Sequence, residues 1–105
     1  ITADSIIEGR YKISGKQNCR SFDIMFILLA DSTPGYFLQA PEVTYVNDYW
    51  EHNNVYIGKG ITRLYLVSVN YSGKTTFQNM INQQLWGRFL ELPEGTIIMN
   101  IVEIP

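Results

Sequence analysis

Three segments of this chain read as β-strands that are apolar on both faces: residues 20–29, 62–71 and 97–104. Successive side chains of a strand point to opposite sides of a sheet, so a strand that is apolar throughout is expected to be buried on both sides. One amphipathic helix covers only one face of a sheet. Either the sheet curls into a small barrel or a loop covers its second face, or that face docks on a partner or a lipophilic ligand.

The other strand segments are shorter or have one polar face. Residues 6–14 alternate between apolar and polar side chains, which is typical of a strand with one face in water. Residues 43–46 and 55–57 are short strand segments. We expect a polar loop at 47–54 between them, and this loop carries Trp50.

One helix is predicted near the end of the chain. Thr75 is followed three residues later by Gln78, a spacing that fits a capping box at a helix start. The apolar stripe at helical spacing consists of Phe77, Met80, Ile81 and Leu85. We therefore predict an α+β fold. It has a mainly antiparallel sheet of five to six strands, as an open sheet or a small curled barrel, with one amphipathic helix near residues 75–89.

Length and charge limit what the chain can be. Its 105 residues suffice for a single compact domain, 1–105, and are too few for two cores. The formal net charge is −2, and no Lys or Arg occurs between residues 21 and 58, where most aromatic residues lie. A nucleic-acid-binding surface needs clustered basic residues. We therefore expect no nucleic-acid partner.

The first residue and the single cysteine bear on the origin of the chain. The sequence begins with Ile1 and not with Met, so it is either a processed mature protein or a domain excised from a longer chain, and we favour the second. Cys19 is the single cysteine, so no internal disulfide is expected. The longest apolar run, residues 24–30, is too short to cross a bilayer. We expect no direct membrane insertion by this segment.

Aromatic residues concentrate between residues 36 and 56, among acids and amides. Rigid rings bury a large area at low entropy cost, which suits a recognition surface. We predict a binding site that includes Tyr45, Tyr49, Trp50, Glu51, His52 and Tyr56. Such a site fits a protein-binding patch or a sugar-stacking platform. The alternative is that the tyrosine rings pack on the core and leave their hydroxyl groups in water.

Trp86 completes the predicted binding residues. On the predicted helix it falls roughly half a turn away from the apolar stripe. It is either an exposed anchor for a partner, or it folds under the segment that follows Gly87.

His52 is the single histidine, and it lies between Asp48 and Asn54 with Glu51 beside it. A pairing with Cys19 as nucleophile and base would need an oxyanion site that no local motif provides. We predict no enzyme, no catalytic residues, no cofactor and no metal site. A pH-responsive role for His52 stays open, because neighbouring carboxylates favour the protonated ring.

A strand-rich domain with one late helix resembles small oligonucleotide/oligosaccharide-binding barrels and sensor domains outside the membrane, a resemblance of overall fold. We expect an extracytoplasmic location, periplasmic or secreted. The predicted function is a non-enzymatic protein-interaction module, homo- or hetero-oligomeric, that uses the acidic aromatic loop and an apolar sheet face. The alternative is a small-ligand receptor domain that binds a lipid-like molecule or a glycan.

Overall fold

The structure of the protein, a computed structural model, describes residues 2–7, 9–17 and 24–104. Its elements follow in the order β1 (Thr2–Ile7), β2 (Arg10–Lys16), β3 (Ile24–Ala30), β4 (Phe37–Gln39), β5 (Thr44–Val46), β6 (Tyr49–Tyr56), β7 (Arg63–Val69), α1 (Tyr71–Asn82) and β8 (Ile97–Glu103). The described residues thus form an α+β fold, as predicted. Cys19 lies outside them, with the rest of segment 18–23.

The strands form two antiparallel sheets of four strands each. Sheet 1 has the order β1–β2–β6–β5, and sheet 2 has the order β4–β3–β7–β8. The prediction of one sheet with five to six strands, open or curled into a barrel, is wrong. Residues 6–14 span a turn at Gly9 (φ 80°) between two paired strands, and β4 has no counterpart in the prediction. The described residues make a sandwich and no closed barrel.

The two middle strands of sheet 2, β3 and β7, are buried on both faces, as their sequence predicts. The same prediction for residues 97–104 is wrong, because this segment forms the edge strand β8 and is largely exposed. One face packs against sheet 1 in a core of Ile13, Met25, Ile27, Leu29, Val43, Trp50, Val55, Leu64 and Leu66. The other face packs against α1 in a core of Phe26, Leu28, Ala30, Leu38, Tyr65, Val67, Val69 and Phe77. Sheet 1 therefore covers the apolar face of sheet 2 that the helix does not cover.

The predicted polar loop at 47–54 is a strand hairpin. A tight turn at 47–48, with Asn47 at φ 56°, connects β5 to β6. Trp50 and His52 alternate with outward polar residues along β6, and both are buried between the layers. The loop prediction fails because only one face of this strand is apolar, and much of its outward face is amide or acid.

Helix α1 begins and ends earlier than predicted. Its N-cap is Asn70, whose side-chain oxygen accepts a hydrogen bond from the Gly73 N–H (2.9 Å), so the capping box at Thr75 does not form. The Thr75 hydroxyl donates to the Tyr71 carbonyl inside the helix instead (3.0 Å). After Asn82 the chain turns through Gln84, whose positive φ of 56° is incompatible with continued helix. The predicted stripe is otherwise confirmed, except that Leu85 lies past the helix end and is exposed.

We expect Phe77→Ala to lower the free energy of unfolding by about 3–5 kcal/mol, the usual cost of emptying a buried aromatic site. Phe77 is fully buried, and its ring centroid lies 5.0 Å from that of Phe26. Tyr71→Ala on the exposed side of the same helix is the control and should change stability by about 0.5 kcal/mol or less. Urea unfolding measures both. Equal losses in the two variants would show that α1 is not the cover of sheet 2.

Candidate functional site

The predicted binding residues lie around two surface depressions, and two of them, Trp50 and His52, are buried. Tyr45, Tyr49, Trp50 and Glu51 line a shallow depression of about 330 Å³ on sheet 1. Tyr56 and Trp86 line a larger groove. His52 lies in the interior, 2% exposed, and Trp50 is 1% exposed, so neither presents its ring as an exposed anchor.

The outward face of β6 carries aromatic and acidic side chains that are paired with basic residues of β2. The Lys16 Nζ lies 5.2 Å from the ring centroid of Tyr49, and the Lys12 Nζ lies 3.4 Å from a carboxylate oxygen of Glu51. Tyr45, by contrast, is half-buried and packs against the core. These cross-strand pairs already satisfy the charges around the shallow depression, so the larger groove is the stronger candidate for a site.

The groove has a volume of about 480 Å³ and lies where β4 of sheet 2 meets the end of β6 of sheet 1. Leu29, Phe37, Leu38 and Ile61 contribute its apolar surface. Its remaining walls combine aromatic, amide and charged side chains, principally Arg10, Asp31, Asn54, Tyr56, Lys59 and Trp86. Ligand pockets in proteins typically occupy ~300–1,000 Å³ and combine an apolar surface with a few polar groups, so this groove is of the usual size and character.

Two side-chain hydrogen bonds fix the rim of the groove by joining the sheets. The Tyr56 N–H donates to the Gln39 side-chain oxygen (2.8 Å), and the Asn54 side-chain amide donates to the Ala40 carbonyl (3.3 Å). Gln39 lies on β4, whereas Asn54 and Tyr56 lie on β6. The groove is therefore set between two strands whose separation these bonds maintain.

The ring of Tyr56 is held in place by glycine on two sides and by arginine. A Cβ atom on Gly9 would lie 2.9 Å from the ring atom Cε2, and one on Gly58 would lie 3.2 Å from Cε1. The Arg10 guanidinium carbon lies 5.4 Å from the ring centroid. The Tyr56 ring is half-exposed, and these contacts fix it as one wall of the groove.

Trp86 reaches the groove from the strap, the name we give to residues 84–90 after the helix. Phe89 exchanges two backbone hydrogen bonds with Tyr36 (2.8 and 3.0 Å), and Arg88 forms an ion pair with Asp31. The Arg88 guanidinium carbon also lies 5.1 Å from the ring centroid of Phe37. These contacts tie the strap to sheet 2 and leave Trp86, 47% exposed, as the second aromatic wall.

The charged groups of the groove differ in how far they are already paired. Arg10 donates to the Asn54 side-chain oxygen (2.7 Å) and keeps further N–H donors available. Asp31 is bound by Arg88. Lys59, in an exposed turn, forms no ion pair with any residue that the structure describes.

Sequence reasoning identified Tyr56 and Trp86 but missed Arg10, Asn54 and Lys59. Arg10 and Asn54 are 44 residues apart, and the pairing of β2 with β6 brings them together. No local motif marks such a pair. Gly58, two residues after Tyr56, was the one signal nearby in the sequence, because a glycine beside a strand often marks a close approach of another group.

His52 is buried in the interior and does not line the groove. Its Nδ1 accepts a hydrogen bond from the Asn54 N–H (3.0 Å), whereas its Nε2 has no partner among the described residues. Burial lowers the pKa of His52, and the carbonyls of Pro41 and Gln39 partly oppose this shift without completing a hydrogen bond to Nε2. The ring is therefore held neutral, contrary to the expectation that neighbouring carboxylates favour its protonated form.

Comparison of the chain with protein-family models, curated proteins and solved structures gives no match. Within residues 2–7, 9–17 and 24–104, no helix combines the length and the hydropathy needed to cross a bilayer. The groove therefore has to be interpreted from its own geometry. Two aromatic walls, a side-chain amide and two cations equip it to bind a molecule with both a ring face and polar substituents.

We expect the protein to lose stability as the pH falls below about 6.5, the usual pKa of an unfolded histidine. The pKa of His52 is lower in the folded state, so over this window the unfolded chain binds more protons than the folded one. The contribution of His52 to stability is complete above the pKa of the unfolded histidine. It is lost as the pH falls through the lower pKa of the folded state. Urea unfolding between about pH 5 and 8 measures it. His52→Asn keeps an acceptor for the Asn54 N–H and should flatten this dependence; an unchanged slope would exclude His52 as its source.

Proposed function

We propose that this domain is a non-enzymatic binding module that holds a small ring-bearing ligand, a glycan unit, in the groove. The observation that supports the proposal is that two aromatic residues, Tyr56 and Trp86, line a groove of about 480 Å³ together with polar groups. Aromatic rings stack on the apolar faces of sugar rings, and amide and charged groups bind the hydroxyls.

The polar rim favours a glycan over a lipid-like molecule. An acyl chain gains most of its binding free energy from apolar burial, about 0.8 kcal/mol for each methylene removed from water. Arg10, Asn54 and Lys59 at the rim would lose hydration beside such a chain without gaining hydrogen bonds. A sugar offers these groups hydroxyl partners.

We expect Trp86→Ala to weaken the binding of simple sugars about tenfold, the loss typical of a central aromatic contact. Trp86 lies beyond the helix and is half-exposed, so its truncation should leave the fold intact. Titration of glucose, galactose and N-acetylglucosamine, followed in the amide NMR spectrum, gives the dissociation constants.

Tyr49→Ala is the matched control, because Tyr49 is an exposed aromatic residue of sheet 1 that does not line the groove. This variant should bind as the unmodified protein does. A screen in which no sugar shifts the signals of residues around Tyr56 and Trp86 would contradict the proposed function. Equal losses in the two variants would place the site elsewhere.

A second candidate function, self-association, is supported by the edge strand β8. The strand pairs with β7 on one side, and on it Ile97, Ile98 and Ile101 are 60%, 41% and 51% exposed. Exposed apolar edge strands are frequent sites of association. The apolar sheet face that we predicted to be an interaction surface is covered by sheet 1. The edge at β8 is therefore the apolar surface that we consider for association.

A second copy of this chain is the partner that we propose for β8. The ladder has a bulge between Ile98 and Asn100, which limits backbone pairing and leaves the side chains as the main contact. A two-fold axis near Asn100 would bring the isoleucines of two copies together. It would also keep the two Glu103 carboxylates apart, at opposite ends of the contact, so no like charges would meet.

We expect the protein to form dimers whose dissociation constant rises at least about tenfold in Ile98→Lys, because a buried ammonium group is costly. Light scattering coupled to size exclusion over a range of concentrations measures it. Ile6→Lys on the exposed strand β1 is the control and should leave the dimer unchanged. A monomer at every concentration, or a dimer indifferent to Ile98→Lys, would contradict this candidate.

A further inference from the structure

We infer that the ligand of the groove carries an anionic group, a carboxylate or a phosphate, on a sugar-sized ring. This inference rests on the proposed function and specifies the ligand class for the same groove. The anionic group would contact Lys59 and Arg10, and the ring would lie towards Trp86 and Tyr56.

The balance of charges around the groove supports this inference. Three charged side chains line it: Arg10, Lys59 and Asp31. The carboxylate of Asp31 is neutralised by Arg88, which lies next to the groove, so the positive charges of Arg10 and Lys59 are left over. The whole chain has a formal net charge of −2, so a positive groove is a local feature and does not follow from overall composition.

The ammonium group of Lys59 is available to a ligand. It occupies an exposed turn beside Gly60 (φ 93°) and forms no ion pair with any of the described residues. Lys12 and Lys74, by comparison, each have a carboxylate partner at 3.4 Å. An anion in the groove would therefore gain the interaction with Lys59 without breaking an existing ion pair.

Arg10 is positioned before any ligand arrives. Its hydrogen bond to Asn54 and its place over the Tyr56 ring restrict the guanidinium plane. A restricted guanidinium loses little entropy on binding, and its remaining donors match the geometry of carboxylate and phosphate oxygens. Two cations in one groove suit a single anionic group. A nucleic-acid strand would need a longer series of basic residues to follow its phosphates.

Binding of matched sugars tests the inference. Glucose, glucuronate and glucose-6-phosphate share a ring and differ in charge, and the last two distinguish a carboxylate from a phosphate ligand. We expect at least one of the anionic sugars to bind about tenfold more tightly than glucose at low ionic strength, the effect of roughly one charge-assisted hydrogen bond. Added salt should reduce this preference, because it screens exposed charges.

Lys59→Gln keeps a polar side chain and removes the positive charge, so the ratio of the affinities for the anionic sugar and for glucose should fall below about twofold. Lys16→Gln removes the same charge from a side chain outside the groove and should keep the preference. Equal affinity for charged and neutral sugars, or a preference that survives Lys59→Gln, would overturn this inference and leave the proposed function standing. Failure of all three sugars to bind would overturn both.

Discussion

The burial of both faces of β3 and β7 is the constraint on which the rest of the structure depends. Their side chains alternate between two cores, one shared with sheet 1 and one shared with helix α1. Each layer covers one apolar face that would otherwise contact water, and the removal of apolar surface from water is the main favourable term in folding. The order helix, sheet, sheet follows from this single requirement, with sheet 2 as the middle layer.

The groove is a consequence of that layering. Two stacked sheets leave a gap where their edges diverge, and here the side chains of Gln39 and Asn54 bridge the gap by hydrogen bonds. The same strand end carries Tyr56, and the strap brings Trp86 into the lining of the groove. Both walls are held by contacts that belong to the fold itself, so the groove does not require a ligand to form its shape.

The sequence was sufficient for features encoded within single elements and insufficient for features that arise from pairing. Apolar periodicity identified the burial of β3 on both faces and the stripe around Phe77. It misread β6, because Trp50 and His52 are the inward members of a strand whose other members are polar. The separation of basic from aromatic residues along the chain was also misleading, because the pairing of β2 with β6 places Arg10 opposite Tyr56 and Lys16 opposite Tyr49 in adjacent strands.

The strap has a further effect on how sheet 2 meets its surroundings. Phe89 occupies both backbone hydrogen-bonding groups of Tyr36 at the entrance to β4, and Arg88 lies across Gly35 beside it. The strap thereby covers the start of this edge strand, whereas β8, at the other edge of sheet 2, pairs with β7 alone among the described strands. The element that positions a wall of the groove thus also makes the two edges of sheet 2 unequal as sites for an incoming strand.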